Sequence, residues 1–139
     1  MRMTADIKIY NLPEKLGTPL GQYSQVTRVK ANEFLFIAGI VGIDASGKLV
    51  GEGDFFAQAK QTFDNIHAAL RSADADWGNI VEFTTYLVHS QDIAKFMEFR
   101  RREFPAMFQN GAYPPNTLLV IDRLVRESFL IEVQTVAAL

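Results

Sequence analysis

One acid stands inside an otherwise apolar stretch near the end of the chain: Glu132, in Ile131-Glu132-Val133-Gln134-Thr135-Val136-Ala137. A carboxylate set in an apolar strand needs a partner or a task, because burying an unpaired charge is costly. The task open to it is proton transfer to and from a water. The other reading is a structural acid that accepts from backbone N–H groups or from Tyr23, and both readings stand at this point. A second stretch, Tyr113-Pro114-Pro115-Asn116-Thr117-Leu118-Leu119-Val120, places one polar residue at the start of what reads as an adjoining strand. That residue, Asn116, is the side chain best placed to face Glu132. Arginine there would hold a carboxylate through two charge-assisted hydrogen bonds; asparagine donates two N–H bonds and brings no charge.

Other constellations are thin. The chain has no cysteine, which excludes disulfides, thiolate metal sites and a cysteine nucleophile. His67 and His89 have no clustered acids beside them in the sequence, so no metal site is expected, and they read as surface or helix-face histidines. No glycine pattern for a nucleotide is present, and no cofactor is implied; Gly39, Gly42 and Gly47 belong to a strand and its turn. Arg100-Arg101-Arg102 is the one basic run, and three consecutive residues fan around a helix axis, so it reads as a solvated helix face. A formal net charge of −2 gives no reason to expect nucleic acid or an acidic membrane as partner. Residues 1–10 hold no apolar core of export-signal length, and no stretch approaches the ~18 apolar residues that span a bilayer. A cytoplasmic protein is expected.

The elements that must position these residues follow from periodicity. At 139 residues and 48% hydrophobic composition, one domain with a single core is expected. Residues 7–10 and 24–30 alternate as short strands, with a Pro- and Gly-rich loop over 12–22 between them. Residues 34–40 are a continuous apolar run, which suits a strand buried on both faces or at a subunit contact. The spacing of Phe55, Ala59, Phe63, Ile66, Leu70 and Ala73 predicts a helix over 54–73, with Asp54 at its N-terminus. Strand 80–88 follows. A second helix over 90–109 is expected, with Ser90 as N-cap and Ile93, Phe96, Met97, Arg100, Phe104 and Phe108 near one face. Strands over 117–124 and 128–137, joined by a tight turn, close the chain. This order predicts an α+β domain: a mixed six-stranded sheet with two helices on one face. The other face, carrying runs such as 34–40 and 118–121, is too apolar for water, so another subunit is its natural cover.

With these elements in place, six segments resemble one family in the right order. Gly21-Gln22-Tyr23-Ser24-Gln25 resembles the GPYSQ motif of the RidA/YjgF (L-PSP endoribonuclease-like) proteins, and residues 36–44 their F-x-SGQIPxD strand and turn. Residues 58–70 resemble their QxxQxxxNI helix, and residues 81–87 their VVKTTVYL strand. Tyr113-Pro114-Pro115-Asn116 resembles their FPARS turn, and residues 131–137 their terminal VEIEAIA strand. The resemblance implies a chorismate-mutase-like fold and a homotrimer with a small-molecule cleft between subunits. It also implies hydrolysis of enamine or imine intermediates to a 2-keto acid and ammonium. In the family an Arg of the PAR turn clamps the substrate carboxylate, a strand Glu serves a water, and a Tyr, a Ser and an Asn line the cleft.

Carried over residue by residue, Tyr23 and Glu132 match as the catalytic pair. The remaining cleft positions fall on Ala38 for the Ser, Met97 for the Asn, Asn116 for the Arg and Leu118 for the small residue that follows it. Each has a plainer reading: Tyr23 as a loop aromatic in the subunit seam, and Ala38, Met97 and Leu118 as core. An arginine of the neighbouring subunit, Arg28 or Arg100, could replace the missing clamp. Two functions are open: an imine or enamine hydrolase using a Glu132-activated water, and a non-catalytic trimer binding a small metabolite. Ribonuclease activity ranks behind both, given the net charge and the lack of a basic cleft motif.

Overall fold

The computed structural model describes residues 4–139. Residues 1–3, part of the stretch read above as lacking an export signal, lie outside the described residues. In chain order the elements are β1 (Asp6–Tyr10), α1 (Pro13–Leu16), β2 (Val26–Lys30), β3 (Phe34–Ile40), α2 (Phe55–Arg71), β4 (Ile80–Leu87), α3 (Asp92–Met107), β5 (Asn116–Val120) and β6 (Ile131–Ala138). Short 3-10 turns at Trp77–Asn79 and Gln109–Gly111 precede β4 and β5.

Helix α2 forms where the apolar stripe predicts it. Asp54 caps it, its side chain accepting from the Ala57 N–H at 3.1 Å. Phe55, Ala59, Phe63, Ile66 and Leu70 are all buried along one side. Helix α3 differs at its start. Gln91, in helical conformation, precedes it without a side-chain cap, and Ser90 does not cap it. Phe99 and Phe104 of α3 close on Phe63 of α2, and Phe104 also on Phe83 of β4; the Phe63–Phe99 and Phe63–Phe104 centroids lie 5.3 and 5.5 Å apart. Such close aromatic pairs add to the area they bury. The stretch read as loop also contains the one-turn α1, with Pro13 in its first turn.

The six strands divide. β3, β6, β4 and β5 form a four-stranded sheet in that order, antiparallel except for the parallel β4–β5 pair. β1 and β2 form a separate antiparallel pair, joined to the larger sheet by an isolated Ser24–Pro115 bridge. The domain is α+β with a mixed main sheet, as expected. The last two strands, however, are not neighbours: β4 lies between β5 and β6, and ten residues separate their ends. The expected tight turn is instead an irregular segment.

That segment is held by Gln58, which is fully buried on α2. Its Nε2 donates to the Gly51 and Ser128 carbonyls at 3.1 and 3.0 Å, and its Oε1 accepts from the Leu130 N–H at 2.9 Å. The amide thus fixes the chain just before β6, and with it the register of Glu132. Removing it orphans part-buried backbone groups, each costing up to about 1–3 kcal/mol. Gln58→Ala is therefore expected to lower the denaturant midpoint by an amount corresponding to at least one such group. Unchanged stability, with β6 amide exchange as slow as in the parent, would contradict this role.

Candidate functional site between two sheet faces

Alternation along β6 sends Ile131, Val133, Thr135 and Ala137 into the helix-covered core. Glu132, Gln134 and Val136 therefore point to the other face. On that open face Glu132 pairs across the strands with Tyr86 of β4, and Val136 with Phe36 of β3. Phe36 is 81% exposed and Phe34 48%. The run 34–40 is thus not buried on both faces: Leu35 and Ile37 pack on the core while Phe34 and Phe36 face outward.

Glu132 is half-buried, and its carboxylate meets no hydrogen-bond donor among the described residues. Of the two readings offered by the sequence, acceptance from Tyr23 is absent: the Tyr23 hydroxyl accepts from the Leu20 N–H at 3.2 Å, closing its own loop. The Glu132 side chain lies across Gly39. A Cβ at that glycine would stand 1.9 Å from Oε1, 2.7 Å from Cδ and 2.9 Å from Cγ. Only glycine at 39 leaves room for this rotamer. With Tyr86, Ile121, Leu124 and Gln134 these residues line an open depression of about 350 Å³. Ala38, expected in the cleft, is exposed at the neighbouring position on β3.

Asn116 lies elsewhere. The buried Thr85 hydroxyl of β4 donates to its Oδ1 at 2.8 Å. Phe83, Thr85 and Leu87 are the helix-side residues of β4, and Leu118 packs against the same core. Asn116 and Glu132 consequently occupy opposite faces of the sheet, on strands separated by β4. The expectation that Asn116 faces Glu132 does not hold within one subunit.

Tyr23 and Met97 sit near Asn116, at the sheet's β5 edge. The Ser24–Pro115 bridge sets Tyr23 and Asn116 one residue to either side of the paired positions. Met97 touches the Gly21 segment, where a Cβ would come within 2.8 Å of its Cε. Between Tyr23 and Phe96 lies Arg100, its guanidinium carbon 5.7 Å from the first ring centroid and 4.7 Å from the second. This corrects the reading of the arginine run as wholly solvated: Arg101 and Arg102 are exposed and pair with Glu98, whereas Arg100 is 2% exposed. Its membership of the apolar face of α3 was the signal in the sequence. Arg28 is exposed on β2.

The remaining candidates are structural. His67 stacks on Trp77 at 4.7 Å and lies 2.9 Å from Asp76 Oδ1. Asp76 caps the turn before β4; the Trp77 N–H, first among several causes, holds its carboxyl below the ordinary value. Among the described residues no group of three or more His, Cys, Asp or Glu is arranged to hold a metal ion, and no helix is long and apolar enough to cross a membrane.

The family model for endoribonuclease L-PSP matches residues 14–139. The chain belongs to the RidA/YjgF family. It is 32% identical over 124 residues to a RutC family protein of Pyrococcus abyssi, covering 89% of this chain and 91% of that one. It is 28% identical over 123 residues to a mouse protein named 2-iminobutanoate/2-iminopropanoate deaminase, covering 88% and 85%. Among solved structures, a Rid protein of unknown function from Yersinia pestis, YyfB, superposes with a TM-score of 0.84 at 26% identity, over 96% of this chain and 98% of that one.

The Gly39 contact makes a direct expectation for this Rid-family chain. Gly39→Ala should leave the fold intact and swing the Glu132 carboxylate off β3. A crystal structure of the variant with Glu132 in its present rotamer and the β3 backbone unmoved would contradict the assignment.

Proposed function

We propose that this chain forms a homotrimer with a small-molecule cleft between subunits, in which Glu132 activates a water to hydrolyse an imine or enamine. The observation that carries this is the Glu132 carboxylate: half-buried in a depression and without a hydrogen-bond donor among the described residues. The apolar open face around it, with Phe34 and Phe36 outermost, supplies a contact surface for a second copy. Such a contact would let the Glu132 face of one subunit meet the Tyr23, Met97, Asn116 and Leu118 edge of another, which no single subunit achieves.

For a 2-imino acid the chemistry balances as follows. Glu132 takes a proton from water as its oxygen attacks the imine carbon, forming the C–O bond and passing the C=N electron pair to nitrogen. Glu132 gives that proton to the nitrogen, forming the carbinolamine; net transfer of the carbinolamine hydroxyl proton to nitrogen, relayed by Glu132, then forms C=O and breaks the C–N bond, releasing ammonia and a 2-oxo acid. The carboxylate returns to its starting state, so no cofactor is required. Tyr23 lines the cleft and helps orient the substrate. The mouse relative's name, an imine deaminase, fits this reaction class.

A second reading, a trimer that binds a small metabolite without turnover, is favoured by one observation: Oδ1 of Asn116 is engaged with Thr85, leaving only a neutral N–H donor at the position where the family places its arginine. The ribonuclease reading suggested by the family's name has less support. The net charge is −2, and Arg101 and Arg102 share the single Glu98 carboxylate.

Imines generated by an amino-acid oxidase, with ammonia release followed in time, test the enzyme reading. Glu132→Gln should lower the rate by about 10²–10⁴-fold, the usual contribution of a positioned acid or base, while ligand binding persists. Asn116→Arg should raise hydrolysis of carboxylate-bearing imines. Parent protein with no rate above background on several imines would remove the catalytic reading and leave the binding one.

A further inference from the structure

Arg100 is buried to 2% exposure, and no carboxylate pairs with it among the described residues. Its Nη2 donates to the Met97 thioether at 3.0 Å, and its Nε and Nη1 have no acceptor among the described residues. Sulfur is a weak acceptor, and a guanidinium carries five N–H donors. A buried cation left in this state is costly unless something anionic or strongly accepting completes it. Burial pushes its pKa down from the ordinary value to about 10, with Tyr23 opposing; a carboxylate alongside would draw it back up.

Its location gives the unmet donors a use. The guanidinium lies over Tyr23; Tyr23 precedes Ser24, which bridges to Pro115, and Pro115 precedes Asn116. The buried arginine of the 100–102 run therefore packs on the segment that bridges to Pro115, the residue before the one at which the chain offers only an amide. We infer that Arg100 supplies the positive charge that Asn116 lacks, gripping the carboxylate of a small monocarboxylic ligand, a 2-imino or 2-oxo acid. This rests on the cleft proposed above.

A carboxylate reaching Nη2 together with Nε or Nη1 takes the place of the Met97 sulfur as acceptor and forms the paired, charge-assisted contact that arginine makes best. The segment 21–23 lies directly on the guanidinium: a Cβ at Gly21 would stand 3.1 Å from Nη2. Ligand entry thus requires that segment or Met97 to shift.

The probes are 2-oxobutanoate, the hydrolysis product of 2-iminobutanoate, and its neutral primary amide, with binding measured by calorimetry and oligomeric mass by sedimentation. The parent should bind the acid at least tenfold more tightly than the amide. Arg100→Met should lose at least tenfold of the acid's affinity and none of the amide's, with Arg100→Lys intermediate. Arg100→Gln serves if the Met variant fails to fold. Equal binding of acid and amide by the parent overturns the inference. So does an Arg100→Met variant that binds the acid as the parent does, or one that loses it only because the oligomer dissociates. The two proposals separate cleanly: acid binding through Arg100 without imine hydrolysis keeps the inference and removes the catalytic reading. Imine hydrolysis with an unchanged KM in Arg100→Met does the reverse.

Discussion

Strand β4 stands between β5 and β6, and that placement governs what one subunit can do. Because β4 pairs with both, alternation along the three strands is locked together: Phe83, Thr85 and Leu87 face the helices, while Glu82, Thr84 and Tyr86 face outward. Asn116 is tied to the inner set through Thr85, and Glu132 is paired with the outer set through Tyr86. A one-residue slip of either neighbour would reverse its whole face, and the buried Ile131, Val133 and Thr135 forbid it on β6. The residues with chemistry are therefore held apart by the same register that builds the core.

Two contacts then define how each half is prepared. On the open face, the bare backbone at Gly39 admits the Glu132 side chain and sets its direction. At the β5 edge, the loop carrying Gly21 and Tyr23 closes over Arg100, keeping a guanidinium dry and short of acceptors. Preorganisation of this sort favours a ligand that brings what is missing, a charge for the arginine and a reactive water site for the acid. The large apolar contribution of Phe36 to the open face gives the two halves a reason to meet on a second copy rather than remain solvated.

The fold was legible wherever a period ran long enough to be read. The α2 stripe, the Asp54 cap and the β-rich composition of β4 are local signals, and they appear where expected; β6 begins at Ile131, three residues later than the expected 128. Pairing was not legible: nothing local in residues 116–120 says that they lie parallel to β4 rather than beside β6. The isolation of β1–β2 from the main sheet is likewise a matter of long-range contact. At the site, Glu132 stood out as an acid in an apolar run. Arg100 was legible in part: its place on the apolar face of α3 marked it, while its place in a run of three arginines read as solvated until α3 packs and it turns inward. Gly39 carried a family signature, but its steric reason needed the Glu132 rotamer. Tyr86 and Thr85 were anonymous members of a β-rich stretch until the register assigned their faces.

The central claim is that catalytic function needs two subunits, one giving the Glu132 face and the next the Arg100 edge. Mixing Glu132→Gln and Arg100→Met proteins under conditions of subunit exchange tests it most directly, with imine hydrolysis as the readout and mixed trimers verified by mass. Each parent variant alone should be nearly inactive. Random equal mixing leaves one intact cleft in every mixed trimer, so roughly a quarter of the unmodified activity should return. No recovery in verified mixed trimers, at any mixing ratio, would contradict the account.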